Sequence, residues 1–193
     1  MIIAIDLDEV IANTTPALIR YHNATYGTSL VFDDFVNYEW WQVWGGTREQ
    51  SVQKFLDFVE SSYFNEITPV EGAPETIEQL QKNHTLHIVT SRQTELESVT
   101  LSWVEKYFPG VFSGLHIANH AQWAISGKTR TKVEICHELQ ASLLIEDSLV
   151  FAKECEQDHI PVLLLDYPWN KGQLPTNTKR VQSWEEILLH IEK

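Results

Sequence analysis

Four short clusters in this sequence carry side chains able to do chemistry, and they lie far apart along the chain. Asp6-Leu7-Asp8 sets two carboxylates at alternate positions, and Thr90-Ser91 sets two hydroxyls side by side. Lys132 supplies an ammonium group, and Glu146-Asp147 supplies a second carboxylate pair. A carboxylate can attack an electrophilic centre or move a proton. Hydroxyls and backbone amides at a helix start suit the oxygens of a phosphate group. Adjacent carboxylates suit a hard, oxygen-loving cation, and a flexible lysine can reach a phosphoryl oxygen. Each cluster alone has a plainer reading: a solvated loop at Asp6, a helix cap at Thr90, surface charge at Glu146. Their placement on the fold separates the two readings.

The elements that must hold them follow from hydrophobic pattern. Ile2–Ile5 is a continuous apolar run that stops at Asp6, as a buried parallel strand does at its carboxyl end. Similar runs at Leu86–Val89 and Leu143–Ile145 stop at Thr90 and Glu146, with others at Val162–Leu165 and, more weakly, Leu115–Ala118. Helical pattern is predicted over Glu75–Lys82, Glu95–Tyr107, Thr131–Leu139, Leu149–Gln157 and Trp184–Ile191. Strands alternating with helices of that length predict the α/β class, a three-layer α/β/α sandwich around a central parallel sheet. All four clusters then fall at strand ends or helix starts of one sheet, where such folds bind ligands. Lys132 starts the helix leading into the Leu143 strand and is preferred over Lys128, which follows Gly127 in a predicted loop.

One stretch breaks the alternation. Residues 14–74 show no buried strand, only helical pattern at Pro16–Tyr26 and Thr47–Ser61 and a patch from Tyr38 to Gly46. That patch holds Trp40, Trp41 and Trp44, three of the chain's seven tryptophans. Pro69, Gly72 and Pro74 mark the return. The expected organisation is a core of residues 1–13 and 75–193 with a small helical cap of residues 14–74. Trp40, Trp41 and Trp44 are candidates to stack on a nucleobase or to fill the cap core, with Trp41 and Trp44 taken as the substrate contacts, and Arg92 is a candidate to touch substrate or cap.

Composition narrows the function classes. A formal charge of −13, with no run among the 14 basic residues, argues against a nucleic-acid polymer as partner. No apolar run approaches the roughly 20 residues needed to cross a bilayer, and the first residues lack a basic leader. The two cysteines, Cys136 and Cys155, read as small core residues of a reducing compartment. The chain thus reads as a cytoplasmic monomer or homodimer acting on a small molecule.

The ordered set of clusters resembles the haloacid dehalogenase-like (HAD) superfamily. Asp6-Leu7-Asp8-Glu9-Val10 matches its first motif, Thr90-Ser91 its second, Lys132 its third and Glu146-Asp147-Ser148 its fourth. The insertion sits where that superfamily places a C1 cap. Within it the chain looks most like the 5′(3′)-deoxyribonucleotidase-related group, through the short helical cap and Asp166-Tyr167-Pro168-Trp169-Asn170. Glu9 departs from the small Gly common there, and Glu146 from the usual first Asp. The resemblance implies a phosphomonoester hydrolase with Asp6 as nucleophile, Asp8 as general acid and base, and an aspartyl-phosphate intermediate. It implies Mg²⁺ held by the Asp6 carboxylate, the Asp8 backbone carbonyl and Asp147, with Glu146 acting directly or through water. Thr90, Ser91 and Lys132 would contact the phosphoryl group, Arg92 is grouped with them as a substrate-side candidate, and the substrate would be a nucleotide or another small phosphorylated metabolite. A sugar phosphate and a catalytically silent binding role stand as alternatives.

Overall fold

The computed structural model describes residues 1–121 and 124–192. Its centre is a six-stranded, wholly parallel sheet of β1 (Ile2–Ile5), β2 (Thr85–Thr90), β3 (Gly114–Ile117), β4 (Leu143–Glu146), β5 (Val162–Leu165) and β6 (Thr178–Val181), in the order β3-β2-β1-β4-β5-β6. The α/β sandwich expected from the sequence is therefore present, with one strand more than the apolar runs announced. β6 reads Thr-Lys-Arg-Val and buries only Val181 fully, because an edge strand has one sheet neighbour and needs no continuous apolar run.

Alternation along the strands divides the core between two faces. Ile3, Ile5, Leu86 and Ile88 join one apolar cluster with α4 (Ala73–Leu80), α5 (Glu97–Tyr107) and α8 (Trp184–Ile191). Ala4, Val89 and Leu144 join the other with α6 (Lys132–Leu139) and α7 (Leu149–Gln157). Trp184, buried in the first cluster, also donates its Nε1–H to the Val10 carbonyl at 2.8 Å, tying the last helix to the loop after β1.

Between β1 and α4 the chain forms α1 (Thr14–Tyr26), α2 (Trp40–Trp44) and α3 (Arg48–Glu60). α1 ends at Gly27, whose φ of 66° is the left-handed conformation that glycine adopts without steric cost. α3 starts at Thr47, whose hydroxyl accepts from Gln50 N while Gln50 Oε1 accepts in turn from Thr47 N. The aromatic interior of this insertion, Phe35, Trp44, Phe55, Phe58 and Phe64, is continuous with the core of the first face. Among the described residues no helix is long and apolar enough to cross a membrane.

Candidate active site

In this strand order β1 and β4 are neighbours from which the chain winds outward in opposite directions, so a crevice opens beyond their carboxyl ends. Asp6 leaves β1 there, its backbone N–H donating to Ile145 of β4 at 2.9 Å. Glu146 ends β4 and Asp147 follows it. One oxygen from each of Asp6, Glu146 and Asp147 lies within 4.8 Å of the other two, and all three residues are buried.

Lys132 is placed among them. Its Nζ sits 2.7 Å from Asp6 Oδ1 and 2.8 Å from Glu146 Oε2, with the Phe151 ring 4.5 Å away. It is the first residue of α6, where a cation opposes the helix dipole; the two carboxylates outweigh that cost. Thr131 caps the same helix by accepting from Glu134 N, fixing where α6 begins and hence where the ammonium points. Lys128 is exposed.

Asp147 Oδ2 accepts two hydrogen bonds, from Tyr38 OH at 2.7 Å and from Trp169 Nε1 at 2.8 Å. Asn170 Nδ2 holds the Asp147 carbonyl at 2.7 Å. Asp8 Oδ1 accepts from Thr14 Oγ1 at 2.5 Å, and the Arg92 guanidinium grips both Asp8 oxygens. Thr90 is buried and accepts from Arg92 N, whereas Ser91 Oγ is buried with no hydrogen-bond partner. Glu9 adopts a left-handed φ of 61° and caps the start of α1 at a distance, its Oε1 accepting from Thr15 N at 2.5 Å while Oε2 is left without a partner.

These surroundings set the charge states. Burial pushes the Asp6 carboxyl up, and the nearby Glu146 adds to it. Burial also raises Asp147, with Asp6 contributing. Burial would raise Asp8 too, but the Arg92 guanidinium and the Thr14 hydroxyl bring it below the usual carboxylate range. Burial opposes the charge on Lys132, but Asp6 and Glu146 raise its pKa. Three carboxylates thus face a single ammonium in a site removed from water. A divalent cation would restore the balance, and an all-oxygen donor set suits a hard ion. Asp6 and Asp147 are the residues best able to hold it, since Glu146 spends Oε2 on Lys132 and Oε1 on Ser148 N.

A family model described as "5′ nucleotidase, deoxy (Pyrimidine), cytosolic type C protein" matches residues 1–192. The chain belongs to this 5′ nucleotidase family. It is a HAD-type hydrolase and a phosphatase. A Halalkalibacterium halodurans protein, provisionally named a nucleotidase, is 26% identical over 191 residues, covering 98% of this chain and 91% of its own. Among solved structures, a haloacid dehalogenase-like hydrolase of Streptococcus pneumoniae shares the fold with a TM-score of 0.73 at 14% identity, over 98% of this chain and 97% of that one. A Bacillus subtilis HAD-hydrolase, also provisionally named and solved bound to magnesium, gives a TM-score of 0.66 at 16% identity, over 98% of this chain and 97% of that one.

Against this 5′ nucleotidase background, the structure brings together Asp6, Asp8, Thr90, Ser91, Arg92, Lys132 and Asp147 around one pocket, with Glu146 directly beneath through Lys132. The aromatic expectation needs correction. Among the described residues the pocket wall takes Phe35, Tyr38, Trp40, Phe55, Phe151 and Trp169, but neither Trp41 nor Trp44. Trp44 is buried, stacked on His22 at 5.0 Å and 5° and set edge-on to Phe35. Trp40 and Trp44 are four residues apart on one face of α2, so only the nearer ring reaches the cavity; Trp41 is rotated off that face. Tyr38 was hidden inside the tryptophan patch, and no sequence signal marks it as a partner of Asp147. Arg92, expected on substrate or cap, spends its fork on Asp8 and stacks against Phe64 of the insertion, 5.5 Å from the ring centre.

Proposed function

We propose that this phosphatase is a Mg²⁺-dependent phosphomonoesterase that acts on nucleoside monophosphates through an aspartyl-phosphate on Asp6. The observation that carries the reading is the junction of an acid and lysine cluster with an aromatic wall. A phosphoryl group would sit against Asp6, Lys132 and the free Ser91 hydroxyl, while a flat, apolar group would face Trp40, Phe35 and Phe55. A planar nucleobase has a face for such rings, whereas a sugar presents hydroxyls that they cannot satisfy.

Asp6 and Asp147 would hold the ion, with the Asp8 carbonyl completing the protein's share and Glu146 tuning the site through Lys132. Bound Mg²⁺ supplies charge compensation for a carboxylate approaching a phosphate dianion. Two like charges about 4 Å apart repel by about 4 kcal/mol at an effective dielectric near 20, and the attack meets that repulsion more than once. Lys132 offsets part of it and stays charged. Asp6 supplies the attacking oxygen, and Asp8 gives a proton to the leaving oxygen and takes one from the water that follows. Tyr38 and Trp169 fix Asp147 from outside the first layer of ligands. The helical segment of residues 14–74 acts as the cap that excludes water. Two buried, unpaired cysteines fit a cytoplasmic setting.

The test is phosphate release from nucleoside monophosphates and from sugar phosphates with Mg²⁺. Higher kcat/KM for the nucleotides is expected. Preference for sugar phosphates would move the substrate assignment, and no release from either set by folded protein would remove the activity.

A further inference from the structure

We infer that Arg92 is a positioning residue: its guanidinium aims Asp8 at the oxygen of the departing alcohol and does not read the phosphoryl group. Nε donates to Asp8 Oδ2 at 2.9 Å and Nη2 to Asp8 Oδ1 at 2.7 Å, a bidentate pair. Nη1 is tied back to Thr100 Oγ1 of α5 at 3.0 Å. The Arg92 side chain is 4% exposed and that of Asp8 is 29% exposed. The arginine is therefore the fixed post, and the carboxyl is the member that faces the cavity. A phosphate-reading arginine turns its fork to the cavity; this one turns it to an acid.

The inference rests on the phosphomonoesterase reading. In the first half-reaction an Asp6 oxygen bonds to phosphorus as the bond to the alcohol oxygen breaks, and that oxygen takes a proton that Asp8, a carboxylate in the free protein, has first accepted from solvent. In the second, a water oxygen bonds to phosphorus, the bond to Asp6 breaks, and Asp8 recovers a proton from the water. To carry the proton, one Asp8 oxygen must give up its arm of the fork, and it regains that arm when the proton leaves. The planar fork returns the carboxyl to the same place in each cycle, which a lysine point charge cannot do.

The experiment measures kcat/KM, which covers the steps up to the covalent intermediate, for esters from p-nitrophenyl phosphate to simple alkyl phosphates. A good leaving group needs little help from an acid, so loss of aim shows mainly on poor ones. Arg92→Gln and Arg92→Lys are both expected to lose about 10²-fold on alkyl esters and less than about 10-fold on the nitrophenyl ester. Thr100→Val, which removes only the tether, is expected to show the same slope at about 2- to 5-fold. An equal loss across the series, or rescue by lysine, would overturn the inference and return Arg92 to phosphate binding. Should circular dichroism show the Arg92 variants unfolded, the Thr100→Val series decides, and a flat one overturns it. A wild-type protein inactive on every ester fails the phosphomonoesterase reading instead, and the inference falls with it.

Discussion

The edge of the sheet and the helical insertion both contribute walls to one pocket, yet they place their side chains by different means. At the sheet edge the backbone does the placing. Asp6, Thr90 and Glu146 come directly off neighbouring parallel strands, and the ladder between β1 and β4 sets how far apart the Asp6 and Glu146 carboxylates lie. In the insertion packing does the placing. Trp40, Trp44, Phe35 and Phe55 touch one another, and which ring faces the cavity depends on how the cluster settles. Charged groups that must meet to within a few tenths of an ångström ride on the sheet, and a surface that needs only to be flat and apolar rides on the helices.

The sharpest test of that division replaces a group on the sheet side. Asp6→Asn is expected to lower phosphate release by about 10³-fold or more while the fold persists, since it removes the attacking oxygen and relieves carboxylate crowding. Steady-state kinetics beside thermal melts checks both halves. Lys132→Met should cut activity and also destabilise the metal-free protein by about 3–5 kcal/mol, because Asp6 and Glu146 lose their buried counter-charge. Denaturant titration with and without Mg²⁺ measures that, and recovery of part of the loss by the ion is expected.

On the insertion side, Trp40→Ala should raise KM for nucleotides by about 10-fold, the worth of one ring–base contact, and leave kcat for p-nitrophenyl phosphate nearly unchanged. Trp44→Ala should instead cost about 3 kcal/mol of stability, because its ring fills the cluster. If the two variants exchange phenotypes, the assignment of rings to pocket and core is wrong.

The smallest effect lies in the pH dependence of stability. Burial pushes Glu9 up to about 8, with Asp8 adding to it, and burial pushes Glu146 up to about 7, with Asp147 adding to it. An acid whose folded pKa exceeds its unfolded value, here 4.5 for a glutamate, costs stability once ionised. The metal-free protein should therefore lose stability as pH rises from that value through 7 and 8. Mg²⁺ neutralises the site, so the rise in Tm on adding it should be larger at about pH 8 than at about pH 5.5, by a few degrees. Calorimetry at the two pH values decides, and an equal shift at both would contradict the site's charge balance.

The sequence by itself determined the α/β alternation and the order of the acid, hydroxyl and lysine clusters. The reason is local. A buried strand needs a continuous apolar run, its end is marked by the first polar residue, and a Thr cap three residues before Glu134 fixes the start of α6. Tertiary structure alone decided the rest. Tyr38 reaches Asp147 across 109 positions, and Arg92 reaches Asp8 across 84. No periodicity records contacts of that separation, because they depend on where two elements come to rest. The same holds for β6, half exposed and without an apolar run, and for Trp40 over Trp41 and Trp44: three rings of one kind differ only in the direction that packing gives them.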